Sequence, residues 1–209
     1  MSITGAKMAK KVVWKEGDVI SIQVRDNLFY LAQMFKSPYL VFFNTFSSDD
    51  QWEDIDLNNE SILFFRGVTR QFLKYAPMEK QKQIKPRAIK DYPKRWLRSG
   101  PGSQRLTVWQ GTPDEMEVVT LGEEGFKLIE KDIFAEGFNQ EKELSSYLKG
   151  PKHKELDLYE LDSLGVYPET TERLYLCHKF KKNVDPDKDL IAGRPLPREY
   201  KSYFQAIMS

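Results

Sequence analysis

The side chains with the greatest chemical reach in this 209-residue chain are one cysteine, Cys177, and two histidines, His153 and His178. A thiol nucleophile needs a base within hydrogen-bond reach. His178 follows Cys177 in a run, Arg173 to Phe180, that reads as a strand, and adjacent strand residues point to opposite faces. The two then make no local dyad. His153 lies in a solvated charge run with Lys152, Lys154 and Glu155, and nothing in the sequence requires the fold to bring it over. The expectation for Cys177 is a buried, inert thiol. One cysteine and two scattered histidines supply no zinc spacing. Asp50, Asp54 and Asp56 have some likeness to a calcium loop, but its glycine and its terminal bidentate acid are missing. Glu115 and Glu117 can share one face of a strand, a pairing able to do acid–base work; two exposed glutamates beside a turn account for it as simply. There is no glycine-rich phosphate loop and no Gly-x-Ser-x-Gly elbow. The residues give no positive case for an enzyme, a cofactor or a metal.

Charge is the other source of function. Net charge is +1, so the bulk balance names no partner, but the average hides opposed patches. From Lys74 to Arg105 there are ten basic residues against Glu79 and Asp91. With Tyr92 and Trp96 interleaved, that run could track a phosphate backbone and stack bases. From Asp114 through Arg173, 16 acids face seven bases, so pairing within the chain can absorb much of the excess. The segment Ser47 to Glu60 holds six acids (Asp49, Asp50, Glu53, Asp54, Asp56 and Glu60) and no lysine or arginine. Such a row presents a basic partner with something like a row of phosphates, and it can steer encounter and fix register. Trp52 in its middle is a candidate anchor. The alternative is an ordinary solvated loop.

The elements that position these groups read mainly as β. Val19–Val24, Leu28–Phe35 and Tyr39–Phe46 are three strands joined by two short turns, an arrangement that favours an antiparallel meander. Gly17-Asp18 precedes them as a turn that needs positive φ, after a possible short strand at Val12–Trp14. Ser61–Val68 is nearly unbroken apolar sequence, as expected of a strand covered on both faces. Four or five short strands in so short a stretch imply a small barrel-like, twisted sheet. Prolines 77, 86, 93 and 101 with glycines 100 and 102 forbid a long helix in the basic run. It reads as a connection or insertion packed through Tyr75, Ile84, Tyr92, Trp96 and Leu97. Leu106–Trp109 and Glu117–Leu121 are further strands. Phe126–Phe134 is ambiguous. Asn139–Leu148 reads as a capped helix with Leu144, Tyr147 and Leu148 on one face. Arg173–Phe180 is the final strand, Asn183–Pro197 is irregular, and Arg198–Met208 is a terminal helix with Tyr200, Tyr203, Phe204 and Ile207 inward. The fold class is therefore mainly β (α+β), in three stretches: a β-meander region over 1–73, the basic connection over 74–105, and an α+β half over 106–209 packed on them as one compact domain. A single cysteine, no signal-like apolar run in the N-terminal sequence and no window near the roughly 20 apolar residues of a membrane span lead to the expectation of a soluble cytoplasmic protein.

The runs WKEGDVISIQVRDNLFYLAQMF, PYLVFFNTF and ILFFRGVTRQFL resemble the immunity protein 26 family of bacterial polymorphic-toxin systems. The likeness lies in the Gly17-Asp18 turn after a basic, aromatic lead-in, a second strand with Tyr30 and Gln33, and an apolar third strand. It covers about residues 12–73. The resemblance implies a mostly β protein that binds and neutralises a cognate toxin domain, often a nuclease in such systems, including those of contact-dependent inhibition. It offers no catalytic residues, and it is silent on where a toxin would bind. Joined to the charge pattern, it makes Asp49, Asp50, Trp52, Glu53, Asp54 and Asp56 the candidate toxin-binding residues. The alternative is a nucleic-acid-binding module that uses 74–105.

Overall fold

A computed structural model describes residues 12–122, 125–135, 141–148 and 154–208. Four strands open the chain: β1 (Val19–Arg25), β2 (Leu28–Met34), β3 (Tyr39–Ser47) and β4 (Ile62–Val68). A short helix α1 (Arg70–Tyr75) and β5 (Met78–Lys80) follow. Then come β6 (Arg95–Ser99), the hairpin of β7 (Ser103–Val108) and β8 (Met116–Leu121), β9 (Phe126–Lys131) and β10 (Glu141–Leu148). The C-terminal part has two-residue strands β11 (Glu160–Leu161) and β12 (Leu164–Gly165), then helices α2 (Glu169–Phe180), α3 (Pro186–Ile191) and α4 (Lys201–Met208). The main sheet has strand order β12-β4-β3-β2-β1-β5, its first four strands in sequence forming an antiparallel meander; a second sheet runs β10-β9-β6-β11. The protein is mainly β, with a curled meander sheet and a few short helices.

Strict alternation in β1 places Ile20, Ile22 and Val24 on one face and Val19 on the other, as a period of two requires. Both faces are covered. On one, Ile20, Tyr30, Phe42 and Phe64 pack with Leu174 and Cys177 of α2, Tyr203 and Phe204 of α4, and Val108 and Val118 of the hairpin. On the other, Leu31, Val41 and Phe65 pack with Trp52, Leu57, Ile84, Trp96 and Ile129. The two halves of the sequence thus share both cores. A third apolar cluster lies behind the second sheet, with Leu97, Phe126, Leu128, Leu156 and Ile191. Gly17 has φ +88°, as its turn demands.

Several elements differ from the sequence reading. Arg173–Phe180 is not a strand but most of α2: its buried residues, among them Thr170, Arg173, Leu174 and Cys177, recur at the helical spacing. Glu169 and Glu172 lie in its first turn, where acids suit the helix dipole. Aromatic and branched residues gave the run a strand-like look, and packing on the meander decided otherwise. Asn139–Leu148 is not a helix. Its described part, 141–148, is β10, paired antiparallel with β9; helix-forming Glu and Lys yield to ladder pairing, as propensity often does. Asn139 lies outside the described residues, as do 1–11 and His153. The basic stretch is more than a connection, since β6 sits inside the second sheet with Trp96 and Leu97 fully buried, while Tyr75 stays exposed. Phe126–Phe134 begins as strand β9, Asn183–Pro197 contains α3, and Val12–Trp14 forms no strand.

Candidate functional site

The acidic segment connects β3 to β4, and most of its polar groups are engaged within it. The Trp52 indole is 8% exposed and belongs to the core. Its Nε1 donates to Asp50 Oδ1 at 2.6 Å. Asp50 Oδ2 accepts from Ser21 Oγ at 3.1 Å, and Gln81 Nε2 donates to that same Ser21 hydroxyl at 2.7 Å. Asp50 therefore ties the loop to the middle of β1, and Trp52 anchors it from inside, with little surface left for a partner. Asp49 closes a turn by accepting from Ser47 Oγ and the Gln51 amide, bonds that hold its carboxyl below the usual range. Asp56 does the same through the Asn58 amide and side chain, with Lys85 adding a smaller pull. Glu53 and Asp54 are left exposed, with no hydrogen-bond or ion-pair partner among the described residues. Asp54 adopts φ +55°, a left-handed conformation that Asp tolerates better than most residues. The outcome is a loop with its turns fixed and four exposed carboxylates, of which Glu53 and Asp54 have no internal partner among the described residues.

The basic run passes beside this loop. Gln33 Nε2 donates to Arg87 O at 3.0 Å, and the Arg87 amide donates back to Gln33 Oε1 at 2.8 Å. Arg87 Nη1 donates to the Glu60 carbonyl at 2.7 Å. Lys80 pairs with Asp18, Arg95 with Glu130, Arg98 with Glu141 and Asp162, and Arg105 with Glu117. Four of the ten bases of this run are thus paired with acids within the chain. Gln33, one of the residues that carried the family resemblance, pins this run to β2. Tyr30, another, is buried against α2 near His178, ring centroids 6.3 Å apart.

Cys177 and His178 are neighbours on a helix, so their side chains diverge by about 100°. The Cys177 thiol contacts Val184 N and O at 3.4 and 3.6 Å, and burial pushes its pKa up. That is the environment of an inert thiol. Burial, with help from Lys181, lowers His178. Glu115 accepts from the Gly111 amide and Glu117 pairs with Arg105, so each glutamate has a separate structural task.

A buried ionic network escaped the sequence reading. Arg66, in the centre of β4, is 2% exposed and pairs with Glu169 at the start of α2. One helical turn on, Arg173 is 1% exposed; it pairs with Asp185 at 2.9 Å and Glu160 at 2.6 Å, and donates from Nε to the Val184 carbonyl at 2.9 Å. The Tyr203 hydroxyl of α4 lies 2.7 Å from Glu169 Oε1 and 2.9 Å from Asp187 Oδ2. Burial opposes the charge on Asp185, but Arg173 and Arg66 outweigh it and hold the carboxyl below its ordinary range. Among the described residues Asp187 has no arginine paired with it. Burial first, then the charges of Glu169 and Asp185, push it up to about 7. The network fastens three helices to the edge of the main sheet. Arg66 was the available signal: a charge inside SILFFRGV, a strand covered on both faces, must find an internal partner. The partners stayed hidden because α2 read as a strand.

None of the described helices is long and apolar enough to cross a membrane. No curated protein and no solved structure matches the chain. A family model described as a domain of unknown function, DUF8309, matches residues 9–191. That span takes in the meander, the acidic loop, both sheets, α2 and α3, and the chain belongs to the DUF8309 family.

Proposed function

We propose that this protein is a bacterial immunity protein, which binds a cognate toxin domain in the cytoplasm and neutralises it by protein–protein contact. The toxin is a nuclease in this reading, because a nuclease site is built for phosphates and carboxylates can occupy it. The observation that carries the proposal is the acidic loop. Asp49 and Asp56 hold its backbone and Asp50 holds Trp52, while Glu53 and Asp54 remain exposed without partners among the described residues. Preorganised charge costs less to bring into an interface than charge on a mobile loop. The resemblance of residues 12–73 to immunity proteins supports the same reading. A standard interface buries about 1,600 Å², more than one loop supplies. Phe46, 51% exposed just before the loop, is a candidate to extend it. Nucleic-acid binding through 74–105 is less well supported, because Lys80, Arg95, Arg98 and Arg105 are already paired with acids.

The test is Glu53→Lys combined with Asp54→Asn, since asparagine also accepts the left-handed backbone at that position. Binding to the toxin domain encoded next to the gene is measured at two salt concentrations, alongside growth protection. The expected result is a slower on-rate and a weaker salt dependence than the parent shows. A folded double variant that binds and protects as well as the parent refutes the loop's role. A parent protein that binds no such toxin refutes the function.

A further inference from the structure

We propose that a surface aromatic cluster, Phe35, Tyr92 and Phe134, is the apolar centre of the toxin interface, with the acidic loop as its charged rim. The inference rests on the toxin-binding reading and supplies the contact area that one loop lacks. The occupant it calls for is a protein surface with an apolar protrusion beside a basic patch.

The cluster gathers three distant parts of the chain. Phe35 follows β2, Tyr92 lies in the basic run, and Phe134 follows β9. Ring centroids are 5.2 Å apart for Phe35 and Phe134, 5.8 Å for Phe35 and Tyr92, and 5.1 Å for Tyr92 and Phe134. Beneath them the buried Phe65 meets Phe35 at 6.1 Å. The pile opens outward: Phe35 and Tyr92 are half-buried, and Phe134 is 42% exposed. Rings already held in place by one another lose little freedom when a partner covers them, and interface hot spots are rich in such aromatics.

Strand geometry puts the cluster beside the acidic loop. Ser21, which holds Asp50, is paired with Leu31 across the ladder. Phe35 comes four residues after Leu31, so the two share a face. At about 3.3 Å per residue, Phe35 lies about 13 Å along the strand from the loop's attachment. A standard interface takes about 800 Å² from each partner, a patch roughly 30 Å across, and that spans both features. The basic run joins them: Gln81 bonds to Ser21, Arg87 to Gln33 and Glu60, and Tyr92 then enters the cluster.

Charge selects a protein over a nucleic acid as the occupant. Within two positions of the three rings the sequence holds three lysines, Lys36, Lys90 and Lys94, and three acids, Asp91, Asp132 and Glu136. The cluster has no cationic surplus to track phosphates, and the Tyr92 hydroxyl donates to Asp132 at 3.2 Å. Glu53 and Asp54 on the neighbouring loop repel a polyanion and attract a basic protein surface.

The test uses the full chain and the toxin domain encoded next to the gene. Phe134→Ser is expected to speed dissociation about 30-fold, the size of a hot-spot loss, and to leave the salt dependence of the on-rate as in the parent. Tyr75→Ser removes an exposed ring on α1 and is expected to bind as the parent does. Hydroxyl-radical footprinting of the unmutated protein reads the same surface without a substitution: Phe134 should be protected in the complex. A folded Phe134→Ser variant with an off-rate within twofold of the parent's, or a Phe134 that stays fully labelled in the complex, overturns this site while the acidic loop's effect on the on-rate still stands. A parent that binds no such toxin overturns both. A parent that is dimeric alone, and monomeric as Phe134→Ser, assigns the cluster to a second copy of the chain and overturns the proposal.

Discussion

Asp187→Asn should stabilise the protein at pH 8, clearly less at pH 5, and hardly at all once the pH is below the unfolded pKa. Asp187 accepts from Tyr203 at 2.9 Å and stands beside two carboxylates, Glu169 and Asp185, whose arginine partners are shared out elsewhere in the network. Its folded pKa of about 7 lies above the ordinary carboxyl value of 3.8. Between those two values the native state holds a proton that the unfolded chain has released, so stability falls as pH rises through that window. Below pH 4 both states are protonated and nothing is lost. Above pH 7 both are ionised and the whole penalty is felt. A separation of this size corresponds to about 4 kcal/mol. Asp187 is only half-buried, and solvent screening brings the usable figure to about 1–3 kcal/mol. Asparagine keeps an acceptor for Tyr203 and cannot ionise. The measurement is urea unfolding of parent and variant at half-unit steps from pH 5 to 8. Subtracting the two curves cancels the opposing contribution of His178, whose lowered pKa makes stability rise with pH on the acid side of that range. A difference curve that stays flat across the series would show that Asp187 is ionised throughout, and the account of the network would fail.

Two further predictions follow from packing. Asp50→Ala removes the acceptor for both the Trp52 indole and the Ser21 hydroxyl; it should cost about 1–3 kcal/mol, with a red shift in tryptophan fluorescence as the loop lifts from β1. An unchanged emission maximum would show that Trp52 is held by its apolar contacts alone. Gly165→Ala places a methyl group against the Thr170 hydroxyl and within 2.7 Å of Arg66 Nε. It should destabilise by about 1–3 kcal/mol, where a surface-like cost below about 0.5 kcal/mol would refute the tight fit between β12 and α2.

The meander was legible because alternation is a local property: Ile20, Ile22 and Val24 share a face whatever packs on them, and a glycine at position 17 suits a turn of positive φ. The acidic loop was legible as charge, but its division of labour was not. Spacing alone treats Asp50 and Glu53 alike; the fold turns one inward to Trp52 and Ser21 and leaves the other in water. Trp52 read as an interface anchor for the same reason, since an aromatic among acids can point either way until its neighbours are known.

Local sequence determined the opening strands, the turns between them and the terminal helix, whose inward residues Tyr200, Tyr203 and Phe204 are buried. Tertiary structure decided α2, β10, the place of β6 and the ionic network. In each case the competing local preferences were nearly balanced, and contacts far apart in sequence broke the tie: Arg66 with Glu169 is separated by 103 positions, and Arg25 with Glu172 by 147. A single chain read in order carries no record of which distant residues will meet, and burial of a charge can be resolved only once its partner has arrived.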